Sequence, residues 1–264
     1  MMKLAISNIA WEAKDDPYLL HELPAHGCQA LEIAPTRVFP EKPYDRLPEA
    51  RFYADDLLKK DGLPICSMQS IWYRRSESIF GSPEETDSLI RYTKEAVLFA
   101  EAVRCPNLVF GSPKNRILPE GKQPEDACDF FRAIGDFAAE HGAAIALEAV
   151  PESYGTNFLN LTSQVYDFVC AVGSEGLMMN LDFGSMLMNG EDPADIKRYI
   201  PKVNHVHISE EGLEGIVHRG EHKLFIQALK DAGYDRFVSI EMRNQGAPDK
   251  VLSIVDYVKS LLNE

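Results

Sequence analysis

Short apolar runs alternate along the chain with longer amphipathic segments. Eight of the short runs have strand character, near residues 3–8, 29–34, 63–69, 106–111, 143–149, 177–182, 203–208 and 236–242. The segments between them carry a helical period. From Glu84 to Val103, the residues Leu89, Ile90, Thr93, Val97, Leu98 and Ala100 form an apolar stripe among charged positions. Start and stop signals frame these segments: Ser82-Pro83-Glu84-Glu85 offers an N-cap, a proline for the first helical position and first-turn acids, and Glu140-His141-Gly142 reads as a helix end. Eight strand–helix units in 264 residues average about 33 residues each, a period that predicts parallel strands joined by helical crossovers. Eight such units close naturally into one (β/α)8 barrel domain spanning residues 1–264. A doubly wound open sheet is the competing arrangement, but no glycine-rich phosphate loop follows the first strand.

Composition narrows the functional class. The chain is 45% hydrophobic and 26% charged, the balance of a globular protein with a substantial core. Lys and Arg number 27 against 41 Asp and Glu, a formal net charge of −14, and no dense Lys/Arg run offsets it. Such a surface repels a phosphate backbone, so nucleic acid is not an expected partner. Cys28, Cys66, Cys105, Cys128 and Cys170 are odd in number and lack CxxC spacing, which argues against a disulfide framework or a cysteine metal site. They read as small buried residues. The opening Met1-Met2-Lys3-Leu4-Ala5-Ile6 lacks signal-peptide character, and no apolar run approaches the ~18 residues of a membrane span. The expected location is cytoplasmic, without a membrane partner.

Four consecutive strands in the second half end on a potential metal ligand in the same phase. In Ala144-Ile145-Ala146-Leu147-Glu148, strand alternation turns Ile145 and Leu147 toward the helices and Glu148 inward. In Leu177-Met178-Met179-Asn180-Leu181-Asp182 it turns Leu177, Met179 and Leu181 outward and Asn180 and Asp182 inward. His205-Val206-His207-Ile208 and Ser239-Ile240-Glu241 repeat the pattern. Parallel strands of a barrel finish at one rim, so these side chains converge there. Three carboxylates so placed repel one another, and a divalent cation removes that penalty. Two Glu, one Asp and one His suit manganese or magnesium, with cobalt or zinc as alternatives. Taken singly, each residue has a plainer reading: a rim salt bridge for Glu148 or Glu241, a turn cap for Asp182, a buried neutral imidazole for His207. Their shared phase on adjacent strands favours the metal site, and His205 reads as a hydrogen-bonded histidine one layer below it.

On these residues the chain resembles the xylose isomerase-like TIM barrel family of sugar isomerases and epimerases. The resemblance covers essentially the whole chain, including Leu147-Glu148, Asp182-Phe183-Gly184, His205-Val206-His207-Ile208 and the Gly233-Tyr234-Asp235 turn before Ile240-Glu241. It implies a (β/α)8 fold and one metal held by Glu148, Asp182, His207 and Glu241, whose steps of 34, 25 and 34 residues are close to the family's. It also implies acid/base roles for Glu148 and Glu241. Three departures stand out. Asp182-Phe183-Gly184-Ser185 has a serine where many members have a histidine, and His207-Ile208-Ser209-Glu210 has Glu where many have Asp. The loop His218-Arg219-Gly220-Glu221-His222 lacks the usual Pro-Gly-x-Gly. These changes bear on the substrate more than on the metal.

The chemistry so implied is proton transfer next to a carbonyl, through an enediolate, on a carbohydrate substrate. Glu32, Gln69, Trp72, Tyr154, Asn157, Ser185, Arg219 and Arg243 are the expected substrate contacts, because strand ends and loops at the mouth build specificity. Trp72 and Tyr154 have an alternative role as covers for the barrel top, and Arg219 and Arg243 as partners of acids such as Glu210. Lys114, Arg116 and Arg219 offer charge for a phosphate without forming a recognisable phosphate motif. A metal-dependent dehydratase or lyase on a polyol or keto-acid uses the same machinery and stays open. So does a non-catalytic sugar-binding barrel. An abasic-site endonuclease of this fold is disfavoured, since its multi-zinc cluster needs further His and Asp ligands where this chain has Gln69 and Ser185. Association into a homo-oligomer through helices or mouth loops is left open.

Overall fold

A computed structural model describes residues 1–264. The predicted runs form eight parallel strands: β1 (Lys3–Ser7), β2 (Ala30–Ile33), β3 (Ile65–Met68), β4 (Asn107–Phe110), β5 (Ala144–Glu148), β6 (Leu177–Asp182), β7 (Val203–Ile208) and β8 (Phe237–Ile240). They pair in sequence order, and β8 pairs with β1 to close the barrel. Each strand lies inside its expected run. Glu241 falls one residue beyond β8, yet its N–H still donates to the Ile208 carbonyl at 2.9 Å, so the ladder reaches it.

Ten helices surround the strands: α1 (Asp16–Glu22), α2 (Pro35–Val38), α3 (Leu47–Asp61), α4 (Pro83–Ala102), α5 (Cys128–Glu140), α6 (Thr162–Val172), α7 (Phe183–Met188), α8 (Ile196–Tyr199), α9 (Gly220–Asp231) and α10 (Pro248–Asn263). The Ser82 signal does more than expected. Its hydroxyl accepts from the Glu85 N–H, and the Glu85 carboxylate accepts from the Ser82 N–H at 3.0 Å, a reciprocal box that fixes the first turn of α4. At the other end of α5, Gly142 adopts φ +69°, and the Ala143 N–H returns to the Ala138 carbonyl. No helix is long and apolar enough to cross a membrane.

The core lies between strands and helices. Ile145, Leu147, Leu177, Met179, Leu181, Val206, Ile208 and Ile240 all join one apolar cluster of 68 buried residues, as the alternation required. Inside the barrel the material is different. Ala5, Ala30 and Cys66 form a small apolar patch against Phe237 near the strand starts. The rest of the interior is largely polar: Ser7, Glu32, Ser67, Asn107, Asn180, His205, His207 and Ser239 are all buried. Asn107 spans part of this space, donating to Ser67 Oγ at 3.0 Å and accepting from Asn204 at 2.7 Å. Register shifts interrupt the β2/β3 ladder at Leu31/Glu32 and the β6/β7 ladder at Met179/Asn180, both beside the polar interior.

The cysteines correct one expectation. Cys28, Cys66 and Cys105 are buried, but Cys128 is half-buried and Cys170 exposed. Cys170 sits on the solvent side of α6, whose buried face is supplied by Val165, Phe168, Val169 and Val172.

Candidate metal centre

Four strands deliver the predicted ligands to one point. Donor atoms of Glu148, Asp182, His207 and Glu241 all lie within 4.8 Å of one another. Cross-strand register explains why: Asp182 sits opposite His207 and Glu148 opposite Asn180, while Glu241 follows β8 by one residue. Each donor is fixed by a neighbour. Asp182 accepts from the Ser185 N–H at 2.6 Å, capping α7, and from Ser209 Oγ at 2.7 Å. Glu148 Oε1 accepts from Asn180 Nδ2 at 2.7 Å. The His207 ring points Nδ1 at the acids, 3.3 Å from Glu148 Oε1 and 3.2 Å from Glu241 Oε2. Its Nε2 faces the other way, 2.9 Å from Glu32 Oε2.

The electrostatics of this cluster are those of a site short of positive charge. Burial and the neighbouring Glu148 charge push the Asp182 carboxyl up to about 6, against His207 and the hydrogen bonds from Ser209 and Ser185. Burial likewise raises Glu241, against the opposing pull of His207. Burial alone would lower His207, but the surrounding carboxylates, Glu32 and Glu241 foremost, hold it well above the ordinary histidine range. Glu32 itself is buried, which would raise it, yet His207 and His205 hold it far below the usual carboxylate range. Protons are thus shared out where a cation would remove the repulsion outright. By donor chemistry and by proximity, the four side chains can hold one divalent ion.

Glu148, Asp182 and Glu241 form the floor of a cavity of about 690 Å³ that opens at the C-terminal rim of the barrel, with His207 buried beneath them. Long loops after β3, β4, β5 and β7 build its walls, and hydrogen bonds sew them together. Asn115 Nδ2 donates to the carbonyls of Glu77 at 2.7 Å and Arg75 at 3.3 Å. The Tyr154 hydroxyl accepts from the Gly212 N–H at 2.7 Å.

Of the eight residues expected to touch substrate, Gln69, Trp72, Tyr154 and Ser185 line this cavity, and the other four do not. Trp72 is mostly wall: its Nε1 donates to Thr93 at 2.9 Å and its ring packs edge-on against Phe110. Glu32 lies beneath His207, fully buried, with the imidazole between it and the cavity. Asn157 is consumed in clamping the β4 loop, bonding both the N–H and the carbonyl of Leu118. Arg219 pairs with Glu210 at 2.5 Å and Arg243 with Glu214. Of the residues offered for a phosphate, Lys114 reaches the cavity, but Arg116 is unavailable. It is fully buried, donating to the carbonyls of Glu148 at 2.9 Å and Leu159 at 3.1 Å, and burial without a paired carboxylate brings it down to about 10.

Sequence reasoning passed over several wall residues, among them Tyr73, Arg74 and Asn115. It read Asn180 as inward but gave it no role. The phase of β6, two residues before Asp182, was the available signal for its contact with Glu148.

The sequence pattern of the family described as xylose isomerase-like TIM barrel matches residues 20–261, from within α1 to within α10. No curated protein matches the chain. Among solved structures, D-psicose 3-epimerase with D-tagatose from Clostridium cellulolyticum H10 has a TM-score of 0.79 at 16% identity, covering 99% of this chain and 99% of that one. The 3-keto-D-glucoside 4-epimerase YcjR from E. coli has a TM-score of 0.76 at 16% identity, covering 98% and 100%. IOLI protein with a binding zinc atom has a TM-score of 0.75 at 17% identity, covering 99% and 98%. At these identities the structural likeness is one of fold, whereas the sequence pattern spans most of the strands and helices. The chain belongs to the xylose isomerase-like TIM barrel family.

Proposed function

We propose that the protein is a divalent-metal-dependent isomerase or epimerase of a sugar or sugar derivative, acting by abstraction of a proton next to a carbonyl. The observation that carries this reading is the convergence of Glu148, Glu241 and Asp182 on the floor of a cavity large enough for a sugar, with His207 buried against them. The oxygen-rich donor set favours manganese or magnesium, with cobalt and zinc as alternatives. When bound, such an ion supplies Lewis-acid stabilisation of negative charge developing on neighbouring substrate oxygens.

The remaining work falls to side chains. Glu148 and Glu241 both reach the cavity, as a proton-accepting and a proton-returning group must. Asp182, held by Ser185 and Ser209, acts as a fixed donor rather than a proton carrier. Gln69, Ser185 and Tyr154 present polar groups to a sugar's hydroxyls, and Trp72 closes one wall against water. The sugar epimerases among the structural neighbours support a carbohydrate substrate.

Manganese-loaded protein incubated in deuterium oxide with a panel of ketoses, aldoses and inositol derivatives is expected to place deuterium at one carbon next to a carbonyl. A product lighter by one water turns the reading to a dehydratase. No exchange in any sugar, from protein that holds the metal, overturns catalysis on this substrate class.

A smaller prediction concerns Gly111. A Cβ there would fall 2.7 Å from Glu148 Oε2, and the backbone conformation is open to alanine. The movable partner in that clash is the carboxylate, so Gly111→Ala is expected to leave thermal stability nearly unchanged while lowering turnover by about tenfold or more. Equal turnover in the variant would show that Glu148 works from another position.

A further inference from the structure

We infer that Glu32 is a positioning residue for the metal-binding imidazole: its carboxylate takes the Nε2–H of His207 and thereby turns the Nδ1 lone pair toward the ion. The inference rests on reading the four-donor cluster as a metal site. Its basis is the division of labour around one ring. Nδ1 lies among Asn180 Nδ2, Glu241 and Glu148, at 3.0, 3.2 and 3.3 Å, and the amide NH2 of Asn180 can only donate to it, while Nε2 lies 2.9 Å from Glu32 Oε2. A neutral imidazole has one N–H and one lone pair. An ionised carboxylate can only accept, so the N–H belongs on Nε2 and the lone pair on Nδ1. The opposite tautomer would set a lone pair against Glu32 and an N–H against a cation.

The placement of Glu32 has no better explanation in the fold. It is fully buried in the barrel interior, and its Oε1 has no hydrogen-bond partner. An unneeded carboxylate at such a position is costly to desolvate, and an aliphatic side chain would fill the space without that cost. Substrate cannot reach it, because it does not line the cavity and His207 stands between. A second imidazole nitrogen, His205 Nε2, lies 3.1 Å from the same Oε2 but outside hydrogen-bond geometry. The two histidine rings stand nearly perpendicular, 88° apart, so the hydrogen bond to Glu32 Oε2 belongs to His207. Glu32 comes from β2 and His207 from β7, so the contact crosses the barrel and couples strands that are not neighbours.

The experiment is calorimetric titration of metal-free wild type, Glu32→Gln and Glu32→Asp with manganese alone. The isosteric Gln keeps the shape and removes the charge; Asp keeps the charge and shortens the reach. Both variants are expected to bind manganese about 10- to 100-fold more weakly, the usual cost of losing a carboxylate behind a histidine ligand. In the magnesium-loaded wild type, nitrogen NMR is expected to show His207 protonated at Nε2 alone, and in Glu32→Gln to show the two tautomers mixed. Melting temperatures of the metal-free proteins separate this from a purely structural role. A lowered melting temperature with unchanged manganese affinity and tautomer overturns the inference. Wild type that takes up no manganese overturns the metal site and the inference together. Wild type that binds while both variants bind equally well overturns the inference alone.

Discussion

Glutamine in place of Glu241, or of Glu148, is expected to lower turnover by about two or more orders of magnitude while the barrel stays folded. Neither side chain belongs to the apolar core; each projects from a strand end into the cavity floor, so an isosteric amide leaves packing untouched. What it removes is the ability to carry a proton and half of a charge pair. Two losses are mixed in such a variant, a weaker metal donor and a missing acid/base group, and metal concentration separates them. If the first dominates, excess manganese restores turnover. If the second dominates, saturation with metal leaves kcat depressed, and deuterium exchange at the reacting carbon falls with it. The proposed division of roles expects the second outcome for at least one of the two glutamates. Full activity of both variants on an identified substrate would rule the mechanism out.

The parts of this molecule that were readable in sequence are those fixed by local alternation. Buried parallel strands announce themselves as apolar runs, and the period-two rule then sends Glu148, Asp182 and His207 inward whatever the rest of the chain does. The closure of the sheet converts that phase into proximity, which is why four residues spread over the second half of the chain meet within 4.8 Å. Depth along the barrel axis has no such local signal. Glu32 shares the inward phase, but strand stagger and the shift at Leu31/Glu32 place it below His207 instead of at the mouth. Loop residues were harder still, since their partners are chosen by tertiary contacts. Arg243 found Glu214, Asn157 found the Leu118 backbone, and Arg116 turned inward to two carbonyls, none of which is spaced in sequence to be foreseen. Arg219 met the acid suggested for it, Glu210, because both belong to the loop between β7 and α9.

Divalent metal is expected to stabilise the protein, and to do so increasingly as pH rises. In the metal-free protein Asp182 has its pKa raised from 3.8 to about 6, so between these values the folded state binds more protons than the unfolded state. Stability therefore falls as pH climbs through that window. Glu241 is raised too and contributes in the same direction. His207, raised above 6.5, adds stability that is complete below its unfolded value and lost as pH rises through its folded one. Glu32 runs the other way, but its folded pKa is so low that its contribution is already in place above about pH 5. A bound cation reverses the logic at the floor of the cavity, because it requires Asp182 and Glu241 ionised and His207 neutral, and so releases protons on binding. Manganese at about 100 times its dissociation constant should add about 2.7 kcal/mol to unfolding stability, a gain that shrinks as acid competes for the same donors. Chemical denaturation at about pH 8 and about pH 5.5, with manganese and with chelator, measures both effects. A metal gain of equal size at the two pH values would mean that these protons do not leave when the ion arrives, and that the ion sits somewhere other than among these four side chains.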